Sequence, residues 1–258
     1  MAFLYEKTNR MDKATQEYIR VEEIYEQLAT EHPSVYQPYL ASTCNNLGVL
    51  YAKTNRIELA EQEFFRAKAI RERLATENPS AYQPNLASTC NNLGALYKNT
   101  NRIESAEQEY LRAKEIYEQL AAEHPSAYLP DLARICKRLG ILYYYKNNSV
   151  DLAEQEFLQA QEIYGQLAAK NPAAYLPDLA STCNNLGILY ENTDHTDKAE
   201  REYLWAKKIY EPLTEFAPER YASDLADTCE TLGELYENTG RSEQAAAEYA
   251  RVEELQNK

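Results

Sequence analysis

The stretch Leu40-Ala-Ser-Thr-Cys-Asn-Asn-Leu-Gly-Val-Leu-Tyr51 recurs along the whole sequence. It returns at residues 86–97 and 179–190, and in altered form at residues 132–143 and 225–236. Each copy carries one of the five cysteines, which are separated by 46, 46, 47 and 46 residues: Cys44, Cys90, Cys136, Cys183 and Cys229. A fixed period of this size is typical of a repeat protein, in which each repeat buries its apolar face only against its neighbours.

Each repeat is predicted to form two helices, A and B, as residues 84–123 illustrate. Pro84 suits the first position of helix A, where a missing N–H costs nothing. Apolar residues then recur at helical spacing from Leu86 to Tyr97. Asn101 and Glu104, three residues apart, resemble a capping box that would start helix B. Helix B carries a second apolar stripe and is predicted to end near residue 123, before a proline.

The same scheme predicts one all-α repeat domain over residues 1–258. Its full helix pairs would span about 38–77, 84–123, 130–170, 177–215 and 223–256, after a truncated pair at residues 1–32. The third pair has one extra residue in its turn, within residues 144–149. Pro212 falls inside a predicted helix B and predicts a kink or an early end there. Because the chain begins in mid-repeat, we expect a piece of a longer protein, or ends that stack on another copy.

Charge and composition exclude several classes of function. The protein has a net charge of −14, whereas nucleic acids and anionic membranes demand clustered cations. No apolar run approaches the ~20 residues that a membrane helix needs, and the N-terminus lacks the features of a secretion signal. We therefore expect a cytoplasmic protein without a nucleic-acid or membrane partner.

The cysteines predict neither a disulfide framework nor a metal site. All five hold the same place in the repeat, so neighbouring cysteines would be further apart than the ~8–10 Å between packed helices. A disulfide needs Cα atoms within ~7 Å. No Cys or His pair has the spacing of a metal site. We expect the cysteines to be small buried residues, and we expect no metal and no cofactor.

The repeated residues resemble the tetratricopeptide repeat family. Its pattern, L-G-x-x-Y on helix A and A-x-x-x-F/Y-x-x-A on helix B, is met by residues 47–51 and by Ala60, Phe64 and Ala67. The Asn-Asn-Leu before the glycine and the long helix B are similar to the kinesin-light-chain-type branch, although the period exceeds the usual 34 and cysteine replaces the family's tryptophan. The resemblance implies a right-handed superhelical solenoid of antiparallel helix pairs, with helices A lining a concave face. It names no partner.

A helical wheel centred on Cys44 divides helix A into faces. At ~100° per residue, the leucine, glycine and tyrosine of the repeat pattern lie on the core side with Cys44, Asn45 faces the neighbouring repeat, and Asn46 points away. If helices A line the concave face, as the resemblance implies, Asn46, Asn92 and Asn185 form a line of amides suited to the backbone of an extended peptide. Hydrogen bonding between helices of the scaffold is the alternative.

The third repeat has an unusual group of cations on helix A. Arg134 and Arg138 replace the usual Ser and Asn, and Lys137 lies beside them. The two arginines are four residues apart and share one face, where they could hold a carboxylate or a phosphate. They are similar to part of the family's carboxylate clamp for acidic C-terminal tails, but two further clamp positions are occupied differently here. The alternatives are local pairing, for instance of Arg134 with Asp131, and cations that are merely solvated.

Asp227 and Glu234 place negative charge at the C-terminal end of the same face. An extended ligand with an acidic segment followed by a basic one would fit this arrangement. The sequence thus predicts a protein–protein interaction scaffold that holds a peptide or protein segment. A peptide-responsive sensor module and a solenoid that self-associates end to end are the alternatives. Since no repeat combines a base, a nucleophile and a metal set, we expect no enzyme.

Overall fold

The computed structural model describes residues 10–146 and 149–256, and these residues form eleven α-helices and no strand. The helices are α1 (Met11–Glu31), α2 (Pro33–Lys53), α3 (Ile57–Glu77), α4 (Pro79–Asn99), α5 (Ile103–Glu123), α6 (Pro125–Tyr145), α7 (Val150–Lys170), α8 (Pro172–Glu191), α9 (Thr196–Phe216), α10 (Pro218–Asn238) and α11 (Ser242–Gln256). The prediction of an all-α protein is confirmed. The predicted half-helix at residues 1–9 and part of the lengthened turn, residues 147 and 148, lie outside the described residues.

The protein divides into two compact units, residues 1–125 and residues 126–258. Unit 1 contains α1 to α5 and unit 2 contains essentially all of α6 to α11. Even-numbered helices are the predicted helices A, and odd-numbered helices are helices B. Within each unit, helices that are adjacent in sequence pack against each other. Because one to four described residues link most of these neighbours, they are antiparallel. The prediction that all residues form one domain stays a prediction.

No helix in the described ranges combines the length and the apolar character that a membrane-spanning helix requires.

Helices A begin five residues earlier than predicted. In the second full repeat, α4 starts at Pro79 rather than at Pro84, which lies inside the helix. Pro79 has the favourable first position, where no intrahelical N–H bond is lost. Pro84 removes the hydrogen bond that its own N–H would donate to the first turn, and its ring crowds the carbonyl one turn earlier. The Pro-Ser-Ala-Tyr segment at residues 79–82 is therefore the first turn of helix A.

The early end predicted at Pro212 is wrong. Helix α9 continues through Pro212 to Phe216 and has 21 residues, the same length as α3 and α5. Just beyond the proline, the buried Thr214 hydroxyl donates a 3.2 Å hydrogen bond to the Tyr221 carbonyl of α10. This tertiary contact stabilises the last turn of α9 despite the missing backbone N–H.

The turn from helix A to helix B depends on one residue with a left-handed backbone. Asn101 has φ of 58°, its N–H donates to Lys98 O at 3.1 Å, and the Arg102 N–H donates to Tyr97 O at 2.8 Å. These two bonds form a Schellman motif that ends α4. The predicted capping box is therefore wrong: Arg102 is the N-cap of α5, and the helix start has no hydrogen bond from a capping side group. The equivalent left-handed residues are Asn55, Asp194 and Gly240, the residue types that tolerate positive φ.

The core of each helix pair forms where a glycine of helix A meets an aromatic ring of helix B. Leu47 is fully buried beside Gly48, and Phe64 is buried opposite them. A Cβ atom added to Gly48 would lie 2.7 Å from Phe64 Cδ1, which is closer than van der Waals contact allows. Alanines at two further positions of helix B, Ala60 and Ala67, are also fully buried. Only a small residue at each of these places permits the close approach of the two helices.

We predict that Gly140→Ala lowers the stability of unit 2, whereas Gly165→Ala does not. A Cβ atom on Gly140 would lie 2.6 Å from Phe157 Cδ1, but a Cβ atom on Gly165 would meet nothing within 4 Å. Overpacking should cost about 1–3 kcal/mol at Gly140, while Gly165→Ala should gain up to about 1 kcal/mol of helix propensity. Thermal melts followed by circular dichroism compare the two variants. Equal melting temperatures would contradict this account of the helix crossing.

Candidate functional site

The candidate site lies on the faces of helices A that turn away from the core. In α2, Cys44 and Leu47 are fully buried, whereas Asn46 is exposed. Asn45 is buried and its Oδ1 accepts hydrogen bonds from helix α4 of the next repeat. The three orientations deduced from the helical wheel are therefore those of the structure.

The asparagines that flank the predicted site connect successive helices A. In unit 1, Asn92 Nδ2 donates a 3.1 Å hydrogen bond to Asn45 Oδ1, and Thr89 Oγ1 lies 3.3 Å from the same oxygen. In unit 2, Asn184 Nδ2 donates to Thr228 Oγ1 at 2.8 Å. These side chains belong to the scaffold. Asn92 has two roles. Its side-chain amide donates a hydrogen bond within the scaffold, and it also belongs to the predicted site.

The other two predicted amides have no such role. Asn46 is exposed on α2 and Asn185 is partly buried on α8. Within the described ranges, neither side chain forms a hydrogen bond. The three amides are therefore not equivalent: Asn46 and Asn185 present unused donors and acceptors, whereas Asn92 presents only what remains after its bond to Asn45.

Two of the three predicted cations in unit 2 have internal partners. Arg134 forms an ion pair with Asp131, one turn earlier on α6. Lys137 Nζ lies 2.7 Å from Asp178 Oδ1 of α8 and 5.5 Å from the centre of the Tyr164 ring. The alternative of local pairing is thus realised for Arg134, whereas Lys137 pairs with a residue of the next helix A.

Arg138 is the exception in this group. It is partly buried, and among the described residues it forms no hydrogen bond and no ion pair. Burial raises the pKa of the Tyr164 hydroxyl, and the positive charges of Arg134 and Arg138 both oppose that rise. Both guanidinium groups therefore lie near the Tyr164 hydroxyl, and the site has one cation without an internal counter-ion.

The predicted acidic residues of α10 are both exposed. Asp227 and Glu234 form no side-chain hydrogen bond or ion pair within the described part of the protein. The pKa of the neighbouring Asp224 is raised, first by burial and then by the negative charge of Asp227. The end of this face is therefore electronegative, as the sequence predicts.

Polar pairs that the sequence reading did not find connect successive helices B. In unit 1, Lys68 Nζ lies 2.6 Å from Glu109 Oε1. In unit 2, Lys207 Nζ lies 2.6 Å from Glu248 Oε2. The partners are 41 residues apart, so no local pattern reveals them. The recurrence of Lys and Glu at this offset from one repeat to the next is the signal that could have found them.

One of these pairs has a neutral partner. Gln161 Nε2 of α7 donates a 2.6 Å hydrogen bond to Glu202 Oε2 of α9 and also lies 3.3 Å from the sulfur of Cys183. Burial raises the pKa of Glu202, and the hydrogen bonds from Gln161 and Cys183 only partly oppose this effect. Glu202 therefore has a neutral glutamine as its partner, whereas Glu109 and Glu248 each have a lysine.

The first of these pairs along the sequence consists of Glu22 and Glu63. Glu22 occupies the position that holds Lys68 in α3 and Lys207 in α9. Glu22, Cys44 and Glu63 bring three potential metal ligands within 4.8 Å of one another. Arg66 donates hydrogen bonds to Glu22, to Glu26 and, at 3.0 Å, to Glu63. The guanidinium group therefore supplies the positive charge that a metal ion would otherwise provide.

All five cysteines are buried free thiols. This confirms the prediction that they are small buried residues. Their surroundings are not purely apolar, however, because the Cys44 thiol donates a 3.6 Å hydrogen bond to Glu22. Burial raises the pKa of all four thiols for which a shift is resolved, Cys44, Cys90, Cys183 and Cys229. These thiols are protonated at neutral pH and are weak nucleophiles.

Comparison with known families agrees with this geometry. Tetratricopeptide repeat models match residues 40–78 and 86–126, and a second tetratricopeptide repeat model matches residues 226–258. Residues 40–78, 86–126 and 226–258 are therefore tetratricopeptide repeats. No curated protein matches its sequence. Tetratricopeptide repeats build scaffolds for protein interactions, and such scaffolds are generally not enzymes.

Several solved structures share the fold of this tetratricopeptide repeat protein. BtubC (BKLC) from P. vanneervenii has a TM-score of 0.75 and 23% identity over 96% of this protein and 91% of its own length. A putative kinesin light chain of Podosopora anserina has a TM-score of 0.63 and 17% identity over 85% and 96%. The apo form of RapI has a TM-score of 0.62 and 13% identity over 99% and 95%. At these identities the likeness concerns the fold alone.

We predict that Glu202→Gln raises the melting temperature at pH 7. The pKa of Glu202 is raised from 4.5 in the folded protein, so its contribution to stability is complete below pH 4.5 and is lost as the pH rises through the folded-state pKa. Glutamine carries no charge at any pH, so Glu202→Gln avoids this loss of stability. The difference in melting temperature between the variant and wild type should therefore shrink as the pH falls toward 4.5.

Glu248→Gln at the equivalent place is the matched control. Because it leaves the partly buried Lys207 without its carboxylate, it should lower the melting temperature at pH 7. Thermal melts at pH 7 and pH 4.5 test both variants. A Glu202→Gln protein that melts below wild type at pH 7 would contradict the assignment.

Proposed function

We propose that this tetratricopeptide repeat protein holds an acidic segment of a peptide or protein partner against the outward face of α6. The proposal rests on Arg138, which is partly buried and forms no ion pair with the described residues. A partly buried guanidinium without an internal counter-ion gains more from an incoming carboxylate than a solvated or paired one, because charge-assisted hydrogen bonds are stronger in a partly desolvated site.

Arg134 supports Arg138 in this role. The two side chains are one helical turn apart on the same face, and about half of the Arg134 side chain is exposed. Its pair with Asp131 lies at the surface, where such pairs contribute little to stability. A ligand carboxylate can therefore displace Asp131 at low cost. Lys137 is only 16% exposed in its pair with Asp178, so it tunes the local charge without contacting the ligand directly.

The amide on the same face of α8 would bind the backbone of the segment. Asn185 on α8 lies in unit 2 with the arginines, and its side chain is not used within the described part of the protein. Asp227 and Glu234 on α10 favour a basic residue in the ligand beyond its acidic segment.

The test is fluorescence anisotropy with a labelled decapeptide that contains four consecutive glutamates, compared with its glutamine analogue. Wild-type protein should bind the glutamate peptide and not the analogue. We expect Arg138→Asn to weaken binding at least tenfold, because a charge-assisted hydrogen bond contributes about 1.5–3 kcal/mol. Asparagine stands at the equivalent place in three other repeats, so the variant should fold.

Lys208→Asn is the matched control, since it removes one positive charge from an exposed position of α9 in the same unit. It should leave the dissociation constant within twofold of wild type. Amidation of the peptide C-terminus separates the two forms of acidic ligand: a loss of binding indicates a terminal carboxylate, and unchanged binding an internal segment. Equal binding by wild type and Arg138→Asn would falsify the proposal.

A further inference from the structure

Arg71 is a buried cation that the repeat pattern does not explain. It lies on α3 in unit 1 and only 6% of the residue is exposed. The equivalent position in the other helices B that match the pattern holds tyrosine: Tyr25, Tyr117, Tyr164 and Tyr210. The scaffold therefore does not need a positive charge at this place.

The Arg71 guanidinium uses one nitrogen to contact helix α4. Nη1 donates a 2.9 Å hydrogen bond to the Asn85 carbonyl and a second hydrogen bond to the Thr89 hydroxyl. Thr89 in turn lies 3.3 Å from Asn45 Oδ1, the oxygen that accepts a hydrogen bond from Asn92. Arg71 is thus connected through two side chains to the amide face of helices A.

No carboxylate within the described ranges forms an ion pair or a hydrogen bond with Arg71. The nearby groups that favour its charged form are the thiols of Cys44 and Cys90 and the hydroxyl of Tyr117, and none of them is a carboxylate. Burial lowers the pKa of Arg71 to about 10, so it still carries its charge at pH 7. Buried charges in proteins are normally paired, because an unpaired one is costly to desolvate.

The remaining nitrogens of Arg71 are available. Nε and Nη2 form no hydrogen bond with the described residues. The fully buried side-chain atoms that lack a hydrogen-bond partner belong to Asn91, Glu109 and Asn184, and not to Arg71. The two Arg71 nitrogens therefore reach solvent. Nε and Nη2 form the side-on fork of the guanidinium, whose spacing matches the two oxygens of a carboxylate.

We propose that the Nε and Nη2 fork of Arg71 binds a carboxylate of a peptide ligand, either an Asp or Glu side group or the terminal carboxylate of the peptide. Nη1 anchors the group to α4 while the fork faces the ligand. This site lies beyond the proposed function, because all of its residues belong to unit 1 and none to α6. The two proposals can therefore fail independently.

The test is an NMR titration of the Arg71 Nε–Hε resonance at constant ionic strength. The probes are acetyl-Gly-Gly-Ala with a free C-terminus, acetyl-Gly-Glu-Gly-amide, and the uncharged acetyl-Gly-Gln-Gly-amide. Arg71→Tyr assigns the resonance by its absence, and this variant should fold because tyrosine occupies the equivalent place elsewhere. We expect a saturable shift with one or both carboxylate probes and none with the glutamine probe, and the responding probe identifies the carboxylate source.

Arg71→Lys keeps the charge but removes the fork, and it should weaken binding of the responding probe at least fivefold, as followed by the backbone amide of Asn92. Arg138→Asn should leave the Arg71 titration unchanged. The proposal is overturned if neither carboxylate probe shifts the Arg71 resonance, if the glutamine probe shifts it equally, or if Arg71→Tyr binds the responding probe as tightly as wild type does.

Discussion

The contact between a glycine of helix A and an aromatic ring of helix B is the constraint on which the rest of the structure depends. Gly94 against Tyr110 and Gly140 against Phe157 repeat the contact seen at Gly48. Because the ring fills the space that a Cβ atom would occupy, the two helices approach closely and their rotation is fixed. This rotation turns the cysteine toward the polar pairs of helices B and leaves the residue two positions later facing outward. The location of every candidate binding residue follows from it.

Polar side chains provide a second set of connections between repeats, and these connections tolerate exchange. Helices A are joined by Asn and Thr, as in the pair Asn184 and Thr228. Helices B are joined by Lys and Glu, as in the pair Lys207 and Glu248. Since each such pair is a local exchange of hydrogen bonds or charge, a repeat can alter it without disturbing the aromatic contact. The altered pairs are therefore where chemistry differs along an otherwise uniform scaffold.

Periodicity predicts the helices well because it depends on residues three and four apart, which are visible in the sequence. Helix ends were less predictable. Asparagine is common both as an N-cap residue and as the left-handed residue that follows a helix. Asn101 takes the second role and ends the preceding helix. Pro84 lies inside α4, five residues after the proline that begins the helix, and the sequence offered both prolines as possible helix starts. Outward positions such as Asn46 could be deduced from the wheel, whereas the ion pair of Lys137 with Asp178 could not, because its partners are 41 residues apart.

The internal repeat separates charges that the scaffold uses from charges that it does not. Glu22 departs from the lysine of other repeats, and Arg66 compensates it. Lys137 departs from asparagine, and Asp178 compensates it. Arg138 and Arg71 also depart from the pattern, at positions that otherwise hold mainly asparagine and tyrosine, and no described acidic residue compensates either one. A compensated departure is explained by the stability of the protein itself. A cation that is buried or partly buried without a counter-ion weakens the folded state unless an anion binds, and for this reason both proposals concern these two arginines and not the more exposed cations of the surface.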